Sequence, residues 1–97
     1  MKLIAVTACP TGIAHTYMAA EQLEKTAKRL GHTIKVETQG AMGIENEIGP
    51  DDIASAAVVI MAVDNAVEGE ERFAKIRKIR VPVQLAVKHP ETIFAQI

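Results

Sequence analysis

Cys9 is the only cysteine of this 97-residue chain and stands in the stretch TACPTGIAHT, residues 7–16, between an apolar run and a helix-like pattern. Pro10 fixes one backbone angle and Gly12 admits a left-handed one. With a helix following, N–H groups of residues 11–16 can converge on one point beside the positive end of the dipole, a geometry that holds an anion. A thiol in such a nest shifts toward thiolate, because only its charged form receives the hydrogen bonds. The same donors would grip a phosphoryl group carried on the sulfur. A thiolate, with a reference pKa of about 8.5, also leaves more readily than an alkoxide, so a phosphocysteine can hand its group on. The set is therefore Cys9 as nucleophile, with Pro10, Thr11, Gly12, Ile13, Ala14, His15 and Thr16 forming the loop around the phosphoryl position. The hydroxyls of Thr11 and Thr16 add donors.

Plainer readings stand beside these. A free cysteine at a strand end is often a small buried hydrophobe, but the Pro, Gly and hydroxyl neighbours favour a functional thiol. His15 reads either as a phosphate contact or as a helix-entry cap, and Thr16 either as a ligand contact or as a local backbone hydrogen bonder. Met18 and Met42 read as core gap fillers, His32 as solvent-exposed and His89 as a cap before Pro90. None of the three histidines has a metal-ligand partner at useful spacing, so neither metal nor bound cofactor is expected.

The elements that must position this loop follow a βαβαβαβα alternation. Residues 2–8 and 56–63 are continuous apolar runs, the mark of strands covered on both faces and hence central. Residues 32–38 alternate, with Ile34 and Val36 against Thr33, Lys35 and Glu37, and residues 80–85 alternate around Pro82, which lacks a ladder donor; both read as edges. Right-handed crossovers then give an α/β fold: an open four-stranded parallel sheet of order 2-1-3-4 with helices on both faces. The first helix runs from residue 12 or 14 to residue 30, burying Ile13, Tyr17, Ala20, Leu23, Ala27 and Leu30, pairing Glu21 with Lys25, and stopping at Gly31. A short helix opens at Pro50, with Asp51 and Asp52 on its dipole. Another spans residues 68–78 around Phe73 and Ile76, and a last one spans 86–97, broken or restarted at Pro90. In such a sheet the ligand crevice lies at the carboxyl ends of strands one and three, where connections leave for opposite faces. Cys9 is the first residue past strand one. The loops after strand two (39–43, with Gln39 and Gly40) and after strand three (64–67, with Asp64) form the rim across from it, unless they are merely a flexible turn and a strand-end polar residue.

Composition narrows the classes further. The length suits one domain spanning residues 1–97, and 11 basic against 12 acidic residues with one Tyr, two Phe and no Trp offer no footprint or stacking platform for nucleic acid. The one long apolar stretch is too short to cross a bilayer, no signal-peptide pattern is present, and a single cysteine staples nothing. A reducing cytoplasm is the expected setting, with no direct membrane insertion.

The stretches AVTACPTGIAHTYMAAEQLE, KVETQGAMGIENE and DDIASAAVVIMAVD closely resemble the cytoplasmic IIB domain of the fructose family of the phosphoenolpyruvate-dependent sugar phosphotransferase system. The resemblance covers essentially the whole chain and is least distinctive from Val87 on. It implies a phosphocarrier, a transferase component whose cysteine, here Cys9, accepts a phosphoryl group from a phosphohistidine of the IIA domain. That cysteine passes the group to a sugar held by the membrane IIC domain, to which the chain would be peripheral. It further implies that the group comes from phosphoenolpyruvate through enzyme I and a histidine carrier. Fructose or a fructose-like hexose is the implied sugar.

The alternative of the same geometry is a phosphomonoesterase like the low-molecular-weight tyrosine phosphatases, whose loop is Cys, five residues, Arg, then Ser or Thr. Here His15 stands at the arginine position and Thr16 follows. Histidine offers one donor and a pH-dependent charge instead of a fixed bidentate fork, so poor hydrolysis is expected.

Overall fold

The computed structural model describes residues 1–8, 13–40, 43–64 and 67–97. Strand β1 (Lys2–Ala8) is buried from Leu3 onward because it is paired on both sides. On one side β2 (Thr33–Gly40) runs parallel to it, from Lys2↔Thr33 to Thr7↔Thr38. On the other, β4 (Val58–Val63) runs parallel from Leu3↔Val58 to Ala8↔Val63, and β5 (Lys78–Val81) continues the sheet beyond β4. These four parallel strands keep the expected order. A fifth, β3 (Gly43–Glu45), pairs antiparallel with the end of β2, so the sheet reads β3-β2-β1-β4-β5. The four-strand expectation is corrected accordingly, and β2 is not a bare edge over Thr38, Gln39 and Gly40. The left-handed φ of +89° at Gly43 helps turn the chain back so soon after Gly40, and a three-residue strand carries no periodicity to read.

One face of the sheet is covered by α1 (Ile13–Arg29), α3 (Val83–Lys88) and α4 (Pro90–Phe94), packed on Leu3, Ala5, Val36, Val58 and Ile60. The other is covered by α2 (Pro50–Ser55) and a single 3-10 turn (Glu70–Phe73), around Ile4, Val6, Val59, Met61 and Phe73. Helix α1 buries Ala20, Leu23 and Ala27 as its pattern predicts, and Glu21 pairs with Lys25 at 2.9 Å. It ends in a Schellman motif: the His32 N–H donates to Ala27 O at 2.8 Å and the Gly31 N–H to Lys28 O at 3.2 Å, with Gly31 at φ +82°. That early stop leaves Leu30 exposed, not inward, and Met18 also lies at the surface instead of filling a core gap. Met42 lies outside the described residues.

Further expectations shift. The helix predicted over residues 68–78 is the 3-10 turn alone: Arg72, Ala74 and Ile76 donate to Gly69, Glu71 and Phe73, each three residues back. The 73/76 apolar spacing satisfies this tighter coil as well as an α-helix. The fourth parallel strand spans 78–81 rather than 80–85, because Pro82 (φ −64°, ψ 150°) is already the entry residue of α3, and Pro90 restarts the chain as a separate α4. His32 is half-buried, its ring stacked on Phe94 with centroids 6.0 Å apart, rather than solvent-exposed. His89 stands at the α4 cap position without capping through its side chain; its carbonyl accepts the Thr92 hydroxyl at 2.8 Å.

Candidate functional site

The carboxyl end of β1 is flanked by the ends of β2 and β4. Thr7 is level with Thr38 on one side, and on the other the Asp64 N–H donates to Ala8 O at 3.4 Å. Helix α1 leaves β1 for one face and α2 precedes β4 on the other, so the point between β1 and β4 is the switch point at which open α/β sheets bind ligands. Cys9, Pro10, Thr11 and Gly12, which join β1 to α1 at that point, lie outside the described residues, as does the side chain of Ile13. Ala41, Met42, Asn65 and Ala66 of the two rim loops lie outside them too.

The described part of the loop is the first turn of α1. It carries no acidic side chain, so the positive end of this 17-residue helix is uncompensated by its own residues. Ala14 and His15 are exposed, while Thr16 is fully buried. The Thr7 hydroxyl donates to Thr16 O at 3.1 Å, pinning the helix entry onto β1. The Thr16 hydroxyl, and that of Thr38 one strand over, are buried with no hydrogen-bond partner among the described residues. A buried hydroxyl without a partner costs free energy until something accepts or donates to it. Next along α1, the Tyr17 hydroxyl donates to Glu45 Oε1 at 2.6 Å, which with the Glu45 charge raises the phenol pKa. Gly40 is tucked under that ring, its would-be Cβ 3.5 Å from the Tyr17 oxygen.

The rim residues are placed differently from one another. Asp64 is the first residue past β4, and its Oδ1 accepts the Val83 N–H at 3.1 Å, so at least this oxygen serves the start of α3. Gln39 ties the end of β2 to the chain just past the second rim loop: its Oε1 accepts the Glu68 N–H at 2.9 Å, while Nε2 donates to Glu68 O at 3.0 Å and to Glu37 Oε2 at 2.8 Å.

Glu37 itself is the residue that the alternation of β2 misplaces. It falls on the polar face with Lys35, yet its side chain is fully buried. Arg72 grips it bidentately, Nη1 to Oε1 at 2.8 Å and Nη2 to Oε2 at 2.9 Å, and the Ile48 N–H donates to Oε1 at 2.9 Å. Burial alone pushes this carboxyl up; the bonds from Arg72, Ile48 and Gln39 together with the Arg72 charge outweigh it and hold it below its usual 4.5. The pairing raises the Arg72 guanidinium in turn. Further out on the same face Lys35 reaches Asp52 at 2.9 Å, and the Gly49 N–H donates to the same oxygen at 3.0 Å. These two, the backbone bond first, lower the Asp52 pKa. The one signal of Glu37 in the sequence is its place in VETQG, two residues before Gln39, where a strand directs both side chains to one face.

Among the described residues no helix is long and apolar enough to cross a membrane. A family model described as the lactose/cellobiose-specific IIB subunit of the PTS system matches residues 4–96. The chain is 53% identical to the PTS system fructose-like EIIB component 2 of Escherichia coli K12 over 96 residues, covering 99% of this chain and 91% of that protein. It is 44% identical to the fructose-like PTS system EIIBC component of the same organism, covering all of this chain and 20% of that longer protein. The crystal structure of a domain of a fructose-specific IIABC component from Borrelia burgdorferi superposes with a TM-score of 0.93 at 46% identity, over 98% of this chain and 90% of that one. With one family model running through nearly the whole chain and fructose-like relatives matched almost end to end, the chain belongs to the IIB family of the sugar phosphotransferase system, on its fructose-like branch.

Proposed function

We propose that Cys9 is the phosphoryl carrier of this chain, taking the group from a phosphohistidine of IIA and giving it to a sugar at the membrane IIC domain during uptake. Membership of the IIB family is consistent with a phosphocarrier role, and relatives named EIIBC and EIIABC components carry IIB fused to such partners. The observation that carries the assignment to Cys9 is positional. In sequence the four-residue stretch led by the only cysteine links the buried end of the central strand to the acid-free first turn of α1, the longest helix among the described residues, whose Thr16 hydroxyl is buried with no partner among them.

The chemistry is two in-line displacements dominated by positioning and charge stabilisation. In the first, Cys9 Sγ forms the S–P bond as the P–N bond of the phosphohistidine breaks, and the electron pair leaves with the imidazole nitrogen. In the second, a sugar hydroxyl oxygen forms the new P–O bond, its proton passes to a base on the acceptor side, and the thiolate departs. Backbone N–H groups of residues 11–16 and the hydroxyls of Thr11 and Thr16 hold the phosphoryl oxygens, with His15 at the mouth as a further donor. Pro10, Gly12, Ile13 and Ala14 shape the loop; Gln39, Gly40 and Asp64 belong to the rim that a partner meets. The sugar is fructose or a fructose-like hexose, following the relatives' names. Poor phosphatase activity is expected, since His15 occupies the position at which a hydrolase of this geometry carries arginine.

Incubation with phosphoenolpyruvate, enzyme I, the histidine carrier and IIA is expected to place one phosphoryl group on the peptide bearing Cys9, read by mass spectrometry. No label there, or a label that survives Cys9→Ser, overturns the assignment. Turnover of a small aryl phosphate would favour the phosphatase reading instead.

A further inference from the structure

We propose that Glu37, Arg72 and Gln39 form a latch that fixes the end of β2 against the chain at Glu68 and Gly69, the anchors from which the two rim loops depart, and that the latch serves docking of the phosphoryl donor; this rests on the reading of Cys9 as phosphoryl acceptor. Three segments distant in sequence converge on one carboxylate: the end of β2, the chain after β3 through the Ile48 N–H, and the chain after β4 through Arg72. Arg72 spends its remaining donors on loop carbonyls, Nε on Gly69 O at 2.7 Å, Nη1 on Ile48 O at 2.9 Å and Nη2 on Glu68 O at 3.2 Å. Gln39 closes the span by pairing both its amide groups with the backbone of Glu68, as a neighbouring strand would. Gly69 is left-handed at φ +72°, and a Cβ there would stand 2.7 Å from Arg72 Nε, so the guanidinium occupies the space that a side chain would take.

Stability alone does not call for this arrangement. A well-packed apolar pair does at least as well as a buried ion pair, whereas a fully satisfied polar network specifies one geometry. One geometry is what a transient transfer needs: the phosphohistidine must arrive in line with the sulfur, and loop anchors already set lower the ordering cost of docking. Gln39, Arg72 and Glu37 are thus positioning residues.

The test measures initial rates of transfer from phosphorylated IIA to Cys9 while IIA concentration is varied. Gln39→Met cuts both loop-to-loop bonds and leaves the ion pair; it is expected to raise KM for phosphorylated IIA about tenfold while kcat stays within about twofold. Glu37→Met/Arg72→Met, which replaces the pair by apolar side chains, is expected to melt near the parent temperature and yet show a KM raised at least as far. Lys35→Met, which breaks the other ion pair of that face away from the rims, keeps the parent KM. A parent KM in Gln39→Met, a double variant that recovers melting and KM together, or an equal rise in Lys35→Met overturns the latch. Failure to phosphorylate Cys9 in the parent protein strikes the reading of Cys9 instead.

Discussion

On the α1 side of the sheet β2 presents Ile34 and Val36 to an apolar layer; on the α2 side the same strand presents Lys35, Glu37 and Gln39. The first face is closed by three helices and the shape of aliphatic side chains. The second has only a six-residue helix and one 3-10 turn to close it, and its cover over β2 is built from charge pairs and hydrogen bonds. The two solutions divide the work. Apolar packing is non-directional and tolerates small displacement, so it suits the face that holds the fold together. A carboxylate with four hydrogen bonds tolerates one arrangement, so it suits the face whose loops border the site.

The sharpest way to break this contrast is to remove one charge. Arg72→Met leaves the Glu37 carboxylate buried and unpaired and is expected to cost about 3–5 kcal/mol. Against a total of about 5–15 kcal/mol for a domain, that brings the protein near its folding threshold in urea unfolding. Adding Glu37→Met should recover most of the loss, because the penalty belongs to the orphaned charge and not to the missing attraction. On the opposite face Leu23→Ala is expected to cost about 3 kcal/mol through lost burial and a cavity, with no comparable rescue by a second single substitution.

Acid separates the faces next. The Glu37 carboxyl is held below its unfolded value, so its contribution is fully present above pH 4.5 and is lost as pH falls through the folded value. The Asp52 shift has the same sign. Stability of the parent, followed as the urea midpoint against pH, should therefore fall on acidification below about pH 4.5, where the unfolded state binds the extra protons. The double variant should lose less over the same range, keeping only the slope that Asp52 and the remaining carboxylates supply. Equal slopes in the two proteins would show that Glu37 is not the acid-sensitive element.

The apolar face was the more legible one, although residues 83–85, read as strand, open α3. β1 and β4 are encoded by continuous apolar runs and α1 by helical periodicity, and Gly31 marks the helix stop by a left-handed conformation that glycine takes cheaply. The chemistry assigned to the loop rests on residue type alone, since Cys, Pro, Gly and Thr at a strand-to-helix turn have few joint uses and residues 9–12 lie outside the described residues. Alternation along β2 correctly separated its two faces but could not say that the polar one is covered. The partner that neutralises Glu37 lies 35 residues away, and no short window contains both. The edge strand β3 was lost for a related reason: it is held by β2 and is too short to state itself, while the 3-10 turn was read as a longer helix because its apolar spacing fits both. The buried Thr16 hydroxyl was visible as a residue type, while its burial depends on Thr7 and on the packing of α1 over β1.

The smallest of these effects is expected where the two faces meet, at Asp64. The residue stands at the end of β4 beside Ala8, yet its carboxylate reaches the first N–H of α3 on the apolar face. Pro82, at the cap position of α3, has no side-chain acceptor to offer, so Asp64 supplies from another strand what a capping Ser or Asp supplies locally. In a helix of six residues one satisfied terminal donor is a large share of what defines the start, but the helix is also held by buried Val83 and Ala86. Asp64→Ala should therefore cost about 1 kcal/mol in urea unfolding, well below either face's core substitution. Asp64→Asn, which keeps an acceptor oxygen and drops the charge, should retain most of that. If the asparagine variant is as unstable as the alanine one, then the charge of Asp64, acting on the helix dipole and on its other neighbours, carries the effect and the hydrogen bond to Val83 does not.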